Sequence, residues 1–367
     1  MKTKALVIYE KNGPFVLDEI DLDAPGPGEV LVRIAASGLC HTDLLAQEKG
    51  EETAFNDIPL PMVLGHEGAG VVAELGPGVD FCKVGDHVVL SYNHCEACHG
   101  CHSGNTSECD GMIGLNFTGV QKGGGTRLHK DGKPVSTFFG QSSFAQYAVT
   151  NRSNTIVIPN DVPVELFGPF GCGIQTGSGA VFYKLRPLPG DSIAIFGCGS
   201  VGLSALLAAK ACGCTTIVAV DVFDSKLALA KELGATHTVN VKNCNIVEEI
   251  KKIRQGGVNY AVETTGSGKV LAQSLLCIAS GGTTCLIGAA NKDATISLDA
   301  LRSERNIVGV IEGTIDPHLQ IPRLIELYKH GLFPVEKFTT FYDMKDMDKA
   351  LEDTKNGKAI KAVIRMN

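Results

Sequence analysis

Short apolar runs, each ended by glycine or a polar turn, alternate with segments of helical spacing through the second half of this chain. The clearest is Ser192-Ile193-Ala194-Ile195-Phe196, which ends in Gly197-Cys198-Gly199-Ser200-Val201-Gly202. A helix-like segment follows to Lys210, then a second β-rich run, Thr216 to Val220, closing on Asp221. The alternation continues with helix-like Ser225–Leu233, strand-like Thr236–Val241, helix-like Ile246–Arg254 and strand-like Tyr260–Glu263. Helix-like Lys269–Ala279, strand-like Thr283–Ile287 and a strand near Ile307–Ile311 complete it. Such alternation predicts an α/β domain with a doubly wound parallel sheet. Residues 192–209 carry no charge, long enough to raise a membrane span. The three glycines with Ser192, Ser200 and Ser204 break that reading, and a buried parallel strand plus its helix explains the apolarity better.

The first half is β-rich instead. Lys4–Tyr9, Phe15–Ile20 and Glu29–Ala35 are strand-like, punctuated by Pro25-Gly26-Pro27-Gly28. The polar cluster Ser37-Gly38-Leu39-Cys40-His41-Thr42-Asp43 precedes a loop-like stretch to Pro61. Gly65-His66-Glu67-Gly68-Ala69-Gly70 follows, and His87–Ser91 is another strand. Residues 111–140 are glycine-rich and are expected to form a long exposed loop. Gly168–Gly177 is a turn leading into a helix that ends before Pro187. A last helix is expected around Gln320–Tyr328 and a last strand at Ala362–Arg365.

With 367 residues, two domains are expected. The net charge of −7, with no basic run, argues against a nucleic-acid surface. The start of the chain shows no apolar stretch of a leader peptide, which points to the cytoplasm. Thirteen cysteines, unevenly spread, then suit metal ligands and buried thiols rather than a disulfide framework. Cys95, Cys98, Cys101 and Cys109 are spaced C-x₂-C-x₂-C-x₇-C, which lets a loop wrap a tetrahedral ion. Four thiolates leave no open position and describe a structural zinc site. An iron–sulfur cluster takes the same four ligands, so it stays open at this point.

The 192–221 stretch has the full context of a dinucleotide fingerprint: strand, glycine turn, helix, strand, acid. Gly197 suits the tight turn, Gly199 a close approach of backbone to pyrophosphate, and Gly202 close packing of helix on strand. The helix N-terminus offers N–H groups to the phosphates. Asp221 is placed to accept from a ribose 2′-hydroxyl, which favours NAD over a cofactor carrying a 2′-phosphate. Cys40, His66 and Cys172 stand in three separate polar turns. A Cys₂His set leaves a tetrahedral zinc one open position, the arrangement of a catalytic site. Spacing alone does not join the three.

A resemblance does. Gly38–Asp43, Gly65–Gly70, the four-cysteine stretch, Gly171-Cys172-Gly173 and the fingerprint through Asp221 occur in the order of the zinc-dependent medium-chain alcohol dehydrogenases. Within that family the chain looks most like the bacterial aryl (benzyl) alcohol dehydrogenases, notably at Ser37–Asp43, Val88–Tyr92 and Gly171–Gly177. The resemblance implies a Rossmann-type domain, residues 174–312, inserted in a β-rich GroES-like catalytic domain, 1–173 and 313–367, with a zinc lobe at 92–112. It implies two zinc ions per chain, a catalytic one on Cys40, His66 and Cys172 and a structural one on the four-cysteine lobe. Asp43 would orient His66, Glu67 would sit behind the metal, able to approach it or pair with a base such as Lys361, and Thr42 would bond the substrate oxygen. Thr176 would support the nicotinamide, Lys226 would flank the adenosine ribose, and His41 and Lys361 would lie near the pyrophosphate. For Lys226 and Lys361 a solvated surface role is the alternative.

Tyr92, Phe138 and Phe139 fall near the family's pocket positions, with ordinary core packing as their alternative. The activity implied is NAD-linked oxidation of primary aromatic or allylic alcohols to aldehydes, by a homo-oligomer, dimer or tetramer. A glutathione-linked or short aliphatic alcohol is the runner-up, and a zinc-free quinone reductase relative is more remote. One departure stands out: Leu45 occupies the place where many members end their proton relay in histidine, and Leu45 carries no proton.

Overall fold

A computed structural model of the chain describes residues 1–48, 58–242, 244–288 and 293–367. Most of the loop-like stretch expected before Pro61 therefore lies outside the described residues. The chain divides into two compact units. The first comprises Met1–Cys172, Asp316–Glu326 and Pro334–Asn367; the second comprises Gly173–Ile315 and Leu327–Phe333.

The first unit is β-rich. One sheet has the order Met62–Val63, Lys2–Ile8, Val16–Leu22, Leu128–Lys130, Lys133–Val135. In the other, Glu29–Gly38 pairs with Gly68–Leu75, Tyr147–Asn151 and Lys361–Arg365. The central strand Glu29–Gly38 is buried at all but Arg33, and the run Val30 to Ala36 is apolar apart from that residue. Val32, Ile34, Val72 and Val88 fill the space around it, each fully or almost fully buried. Each such side chain contributes roughly 1.5–3 kcal/mol relative to exposure.

The expected long exposed loop at 111–140 is corrected. A short helix, Met112–Asn116, and the hairpin of Leu128–Lys130 with Lys133–Val135 occupy it. Phe117, Val135, Phe138 and Phe139 are buried. The hairpin turns on Asp131-Gly132, both left-handed (φ 51° and 76°). An Asp-Gly pair is the ordinary signal for such a two-residue turn, and the glycine content nearby obscures it. The strand Thr339–Asp343 and the helix Met347–Lys355 were also not expected from the sequence.

The second unit holds six parallel strands in the order His237–Asn240, Thr216–Asp221, Ser192–Phe196, Val258–Glu263, Ile278–Leu286, Asn306–Gly309. In chain order this is 3-2-1-4-5-6, the doubly wound dinucleotide-fold order. Ser192–Phe196 lies at the centre and is buried throughout. Its C-terminal end is therefore where the strand order reverses, the place where such sheets bind ligands. No described helix is long and apolar enough to cross a membrane.

Candidate active site

The four-cysteine lobe closes on itself. Cys95 and Cys98 precede the short helix His99–His102, which carries Cys101, and Cys109 follows the turn Thr106–Glu108. Glu96 takes a left-handed conformation (φ 64°) that folds the first loop back. All four sulfurs lie within 4.8 Å of one another. Cys95–Cys101 and Cys98–Cys101 are separated by 3.8 and 3.6 Å. Zn–S bonds of about 2.3 Å set tetrahedral edges near 3.8 Å, so one ion fits. A multi-iron cluster interposes metal and sulfide and spreads its thiolates farther, which the spacing does not allow. Backbone N–H groups of Cys95 and Gly111 donate to Cys109 Sγ, and that of Cys98 to Cys95 Sγ. Such donors favour the charged sulfur, and those from Cys101 and Asp110 pull the Cys98 thiol down to about 6. His99 and His102 are exposed.

A second cluster forms where three turns of the first unit meet. The ligand atoms of Cys40, His66, Glu67 and Cys172 lie within 4.8 Å of one another. Cys40 follows the end of the central strand, one residue before the helix His41–Glu48. Asp43, fully buried, orders two of these turns with one carboxylate. It accepts from the N–H groups of Cys40 (3.0 Å) and Gly65 (3.1 Å) and bonds His66 Nδ1 at 2.9 Å. The opposite ring nitrogen, Nε2, is buried without a hydrogen-bond partner. That atom together with two thiols is a Cys₂His donor set of the kind that holds zinc. The same electrostatics appears in the proton affinities. Hydrogen bonding with Cys172, helped by the nearby charge of His66, holds the Cys40 thiol well below its ordinary range against the effect of burial. Burial lowers the proton affinity of His66, but Asp43 and Cys40 outweigh it and raise the group well above its usual value. A divalent ion would take the place of that proton.

Glu67 is the fourth member. Its carboxylate packs against the backbone of Gly38, where any Cβ would collide with it. Burial pushes it up to about 7, against the pull of Lys361. Lys361 Nζ stands 2.6 Å from Glu67 Oε2 and donates to the Leu39 carbonyl at 3.1 Å. The expected pairing of Glu67 with Lys361 is therefore present, and the surface alternative for Lys361 is corrected. Its side chain is only 3% exposed and its ammonium is engaged by Glu67, so it is a counter-charge of the cluster.

Other expected residues fall nearby. Thr42 Oγ1 is 3.7 Å from Cys40 Sγ, while the side chain of His41 is exposed at the start of the same helix. Phe139 stacks on the His66 ring (centroids 4.5 Å, planes 22° apart), and Phe138 meets it edge-on at 5.5 Å. Tyr92 is corrected to core: it is fully buried and its hydroxyl bonds Thr106 at 2.6 Å, within the cysteine lobe. Gln141, missed by sequence reasoning, accepts from Gly68 N–H and donates to the His66 and Ser91 carbonyls. A polar run, Gln141-Ser142-Ser143, between aromatic residues was the available signal.

In the second unit, Gly197 has φ 95°, which only glycine adopts readily, and a Cβ on Gly202 would strike the Gly197 carbonyl. Gly199 faces open space and caps the helix Ser200–Ala211 with no side-chain hydrogen bond. The helix N–H groups thus stay available to an anion. Asp221 Oδ2 accepts from Cys198 N–H (2.7 Å), and Oδ1 from those of Val222 (2.7 Å) and Phe223 (2.9 Å). Lys226 lies half-buried over the Phe223 ring, and Thr176 is buried in the helix Gly173–Gly179. Glu263, also missed, accepts from Thr265 and Gly266, while Thr264 Oγ1 donates to the Phe196 carbonyl and so braces the glycine turn.

Comparison with known proteins agrees with both halves. Residues 26–160 match the alcohol dehydrogenase GroES-like domain, and residues 200–330 match the zinc-binding dehydrogenase family. Geraniol dehydrogenase of Castellaniella defragrans is 41% identical, across 99% of this chain and 98% of its own length. The crystal structure of benzyl alcohol dehydrogenase from Acinetobacter calcoaceticus superposes with a TM-score of 0.95 at 41% identity, covering 100% of both chains. S-(hydroxymethyl)glutathione dehydrogenase of Paracoccus denitrificans is 32% identical over 99% of this chain and 100% of its own. With two thiolate clusters on a β-rich unit and a dinucleotide-type sheet beside them in sequence, the chain belongs to the zinc-binding medium-chain alcohol dehydrogenase family.

Proposed function

We propose that this alcohol dehydrogenase oxidises primary aromatic or allylic alcohols to aldehydes, reversibly, with NAD and two zinc ions per chain. The observation that carries the substrate class is the full-length 41% identity to a geraniol and a benzyl alcohol dehydrogenase. Cys40, His66 and Cys172 would hold a zinc ion, whose chemistry would be Lewis-acid polarisation of the alcohol oxygen, and residues 174–312 would hold NAD as the hydride acceptor. The chain's own groups do the rest. Asp43 fixes the His66 ring and raises its basicity. Thr42, beside Cys40, bonds the substrate hydroxyl and would relay its proton, passing its own hydroxyl proton to the cofactor's ribose hydroxyl as it accepts the substrate's. The Glu67–Lys361 pair balances charge behind the thiolates. The Phe138 and Phe139 rings, buried against His66, make its surroundings apolar, which suits a flat or unsaturated substrate in the adjoining pocket.

Benzyl alcohol and geraniol are expected to exceed ethanol in kcat/KM by about 10²-fold, since only they bury extended apolar surface. A preference for ethanol sinks this reading. A preference for S-(hydroxymethyl)glutathione establishes the second one, which the 32% identity to such an enzyme favours. Leu45 is buried and cannot pass on the proton relayed by Thr42. Release then goes from the ribose hydroxyl to water, or through His41, exposed at the start of the same helix, with its ring turned inward. On the His41 route, His41→Ala is expected to move the pH dependence of alcohol oxidation to higher pH and slow it up to about tenfold near neutrality, with added imidazole restoring the rate. An unchanged profile means the proton goes to water instead.

We further propose a cytoplasmic homo-oligomer. None of the thirteen cysteines is paired in a disulfide and six of them line the two metal clusters, a usage that suits a reducing compartment. The strand Asn306–Gly309 leaves a sheet edge for pairing with a second copy. A monomer in sedimentation at micromolar concentration would remove the oligomer from this account.

A further inference from the structure

We propose that Phe139 is a positioning residue for His66, and that the cysteine lobe sets Phe139 through Asn93 and Asn116, coupling the two metal sites. The proposal rests on reading Cys40, His66 and Cys172 as a zinc site. Asp43 fixes one atom of the His66 ring, Nδ1, at 2.9 Å. A single hydrogen bond leaves the ring free to tilt about that point, and tilting swings Nε2 away from the two sulfurs. Phe139 removes that freedom. Its ring lies on the imidazole at 4.5 Å, nearly parallel at 22°. Phe138 meets the imidazole edge-on, and Phe117 meets Phe139 edge-on at 5.0 Å.

Phe139 reaches this place in an unfavourable conformation. Its φ is 53°, in the left-handed region, where a bulky side chain is a genuine outlier. Such a backbone persists only where its surroundings over-determine it. Here they do. Phe139 N–H donates to the Asn116 carbonyl at 3.0 Å. Its carbonyl accepts from Asn93 Nδ2 (3.3 Å) and Asn154 Nδ2 (3.2 Å). Asn93 and Asn116 are themselves locked together: Asn93 N–H donates to Asn116 Oδ1 at 2.8 Å, and Asn116 Nδ2 donates to the Asn93 carbonyl at 3.0 Å. Both are buried, at 0% and 2% exposure. Asn93 lies two residues before Cys95 and Asn116 seven after Cys109, so the pair ties the two ends of the cysteine lobe. The chain of contact runs from the lobe through Asn93 and Asn116 to the Phe139 backbone, and from its ring to the zinc-ligand histidine.

The test is zinc release to a chromogenic chelator, followed in the zinc-loaded enzyme. Cys172→Ser enzyme, holding lobe zinc alone, identifies the lobe phase. Phe139→Leu is expected to release catalytic-cluster zinc about tenfold or more faster, leaving the lobe phase unchanged. Phe139→Tyr, which keeps the ring, is expected to behave as wild type. Asn116→Ala is expected to accelerate both phases. Should Phe139→Leu fail to fold, Phe139→Met keeps bulk without a flat ring and is expected to show the same faster release. Wild-type release in Phe139→Leu or Phe139→Met, with two zinc ions bound at the start, overturns the proposal. Wild-type enzyme that binds zinc in the lobe only overturns the reading beneath it instead.

Discussion

Replacing Cys172 with serine is expected to reduce kcat/KM for benzyl alcohol by about 10³-fold and to lower zinc from about two ions per chain to one. Cys172 is buried at the end of the turn Gly168–Gly171, and its thiol hydrogen-bonds Cys40. Serine preserves the shape of the turn but offers a neutral hydroxyl where the site needs a thiolate. With one charged ligand gone, the Cys₂His set cannot hold a divalent ion against solvent. Lewis-acid stabilisation of the developing charge is worth several kcal/mol, and each 1.36 kcal/mol is a factor of ten. None of the four lobe cysteines is altered by this change, so the remaining zinc should stay in the lobe, while the melting temperature should fall because the lost ion no longer stabilises the folded chain. Zinc analysis of the purified variant, with steady-state kinetics on the same sample, checks both halves. Full activity with two ions bound would remove Cys172 from the reaction centre.

Much of this architecture is legible in the sequence for local reasons. Strand Ser192–Phe196 and the turn after it announce themselves because buried parallel strands are continuously apolar and the turn has room only for glycine. The four lobe cysteines are close in sequence because a single ion gathers a short loop. Cys40, His66 and Cys172 are not legible in that way. They converge only after two antiparallel pairings of the central strand and the long return to residue 172, and nothing local encodes such convergence. Lys361 is not legible locally for the same reason; the resemblance offered it as a partner of Glu67. An isolated lysine near the end of a chain suggests solvent, and only the pairing of Lys361–Arg365 with the central strand carries it to Glu67. Between residues 111 and 140 glycine masked an Asp-Gly hairpin turn that propensity could have found. Tyr92 failed differently. An aromatic side chain next to a ligand turn fits a pocket wall and a core equally well, and its hydroxyl partner, Thr106, decides for the core.

Asp221→Ser is expected to shift the ratio of kcat/KM for NAD over NADP by about 10²-fold towards NADP. Two effects add. A carboxylate facing a 2′-phosphate is a like-charge contact costing several kcal/mol, and serine removes it. Serine also loses bonds that this carboxylate makes within the protein. Asp221 accepts from Cys198 in the glycine turn with one oxygen and from Val222 and Phe223 with the other. A single hydroxyl cannot span those donors, so the turn between Gly197 and Gly199 loses a brace. The KM for NAD should therefore rise in the variant, and the change in ratio combines poorer NAD binding with tolerated NADP. Asp221→Asn separates the two in part: its single amide oxygen keeps the acceptor for Val222 and Phe223 and loses the one for Cys198, and it carries no charge, so it should admit NADP with a smaller loss for NAD than serine. Equal cofactor ratios in wild type and Asp221→Ser would mean that the carboxylate only shapes the turn and faces no ribose.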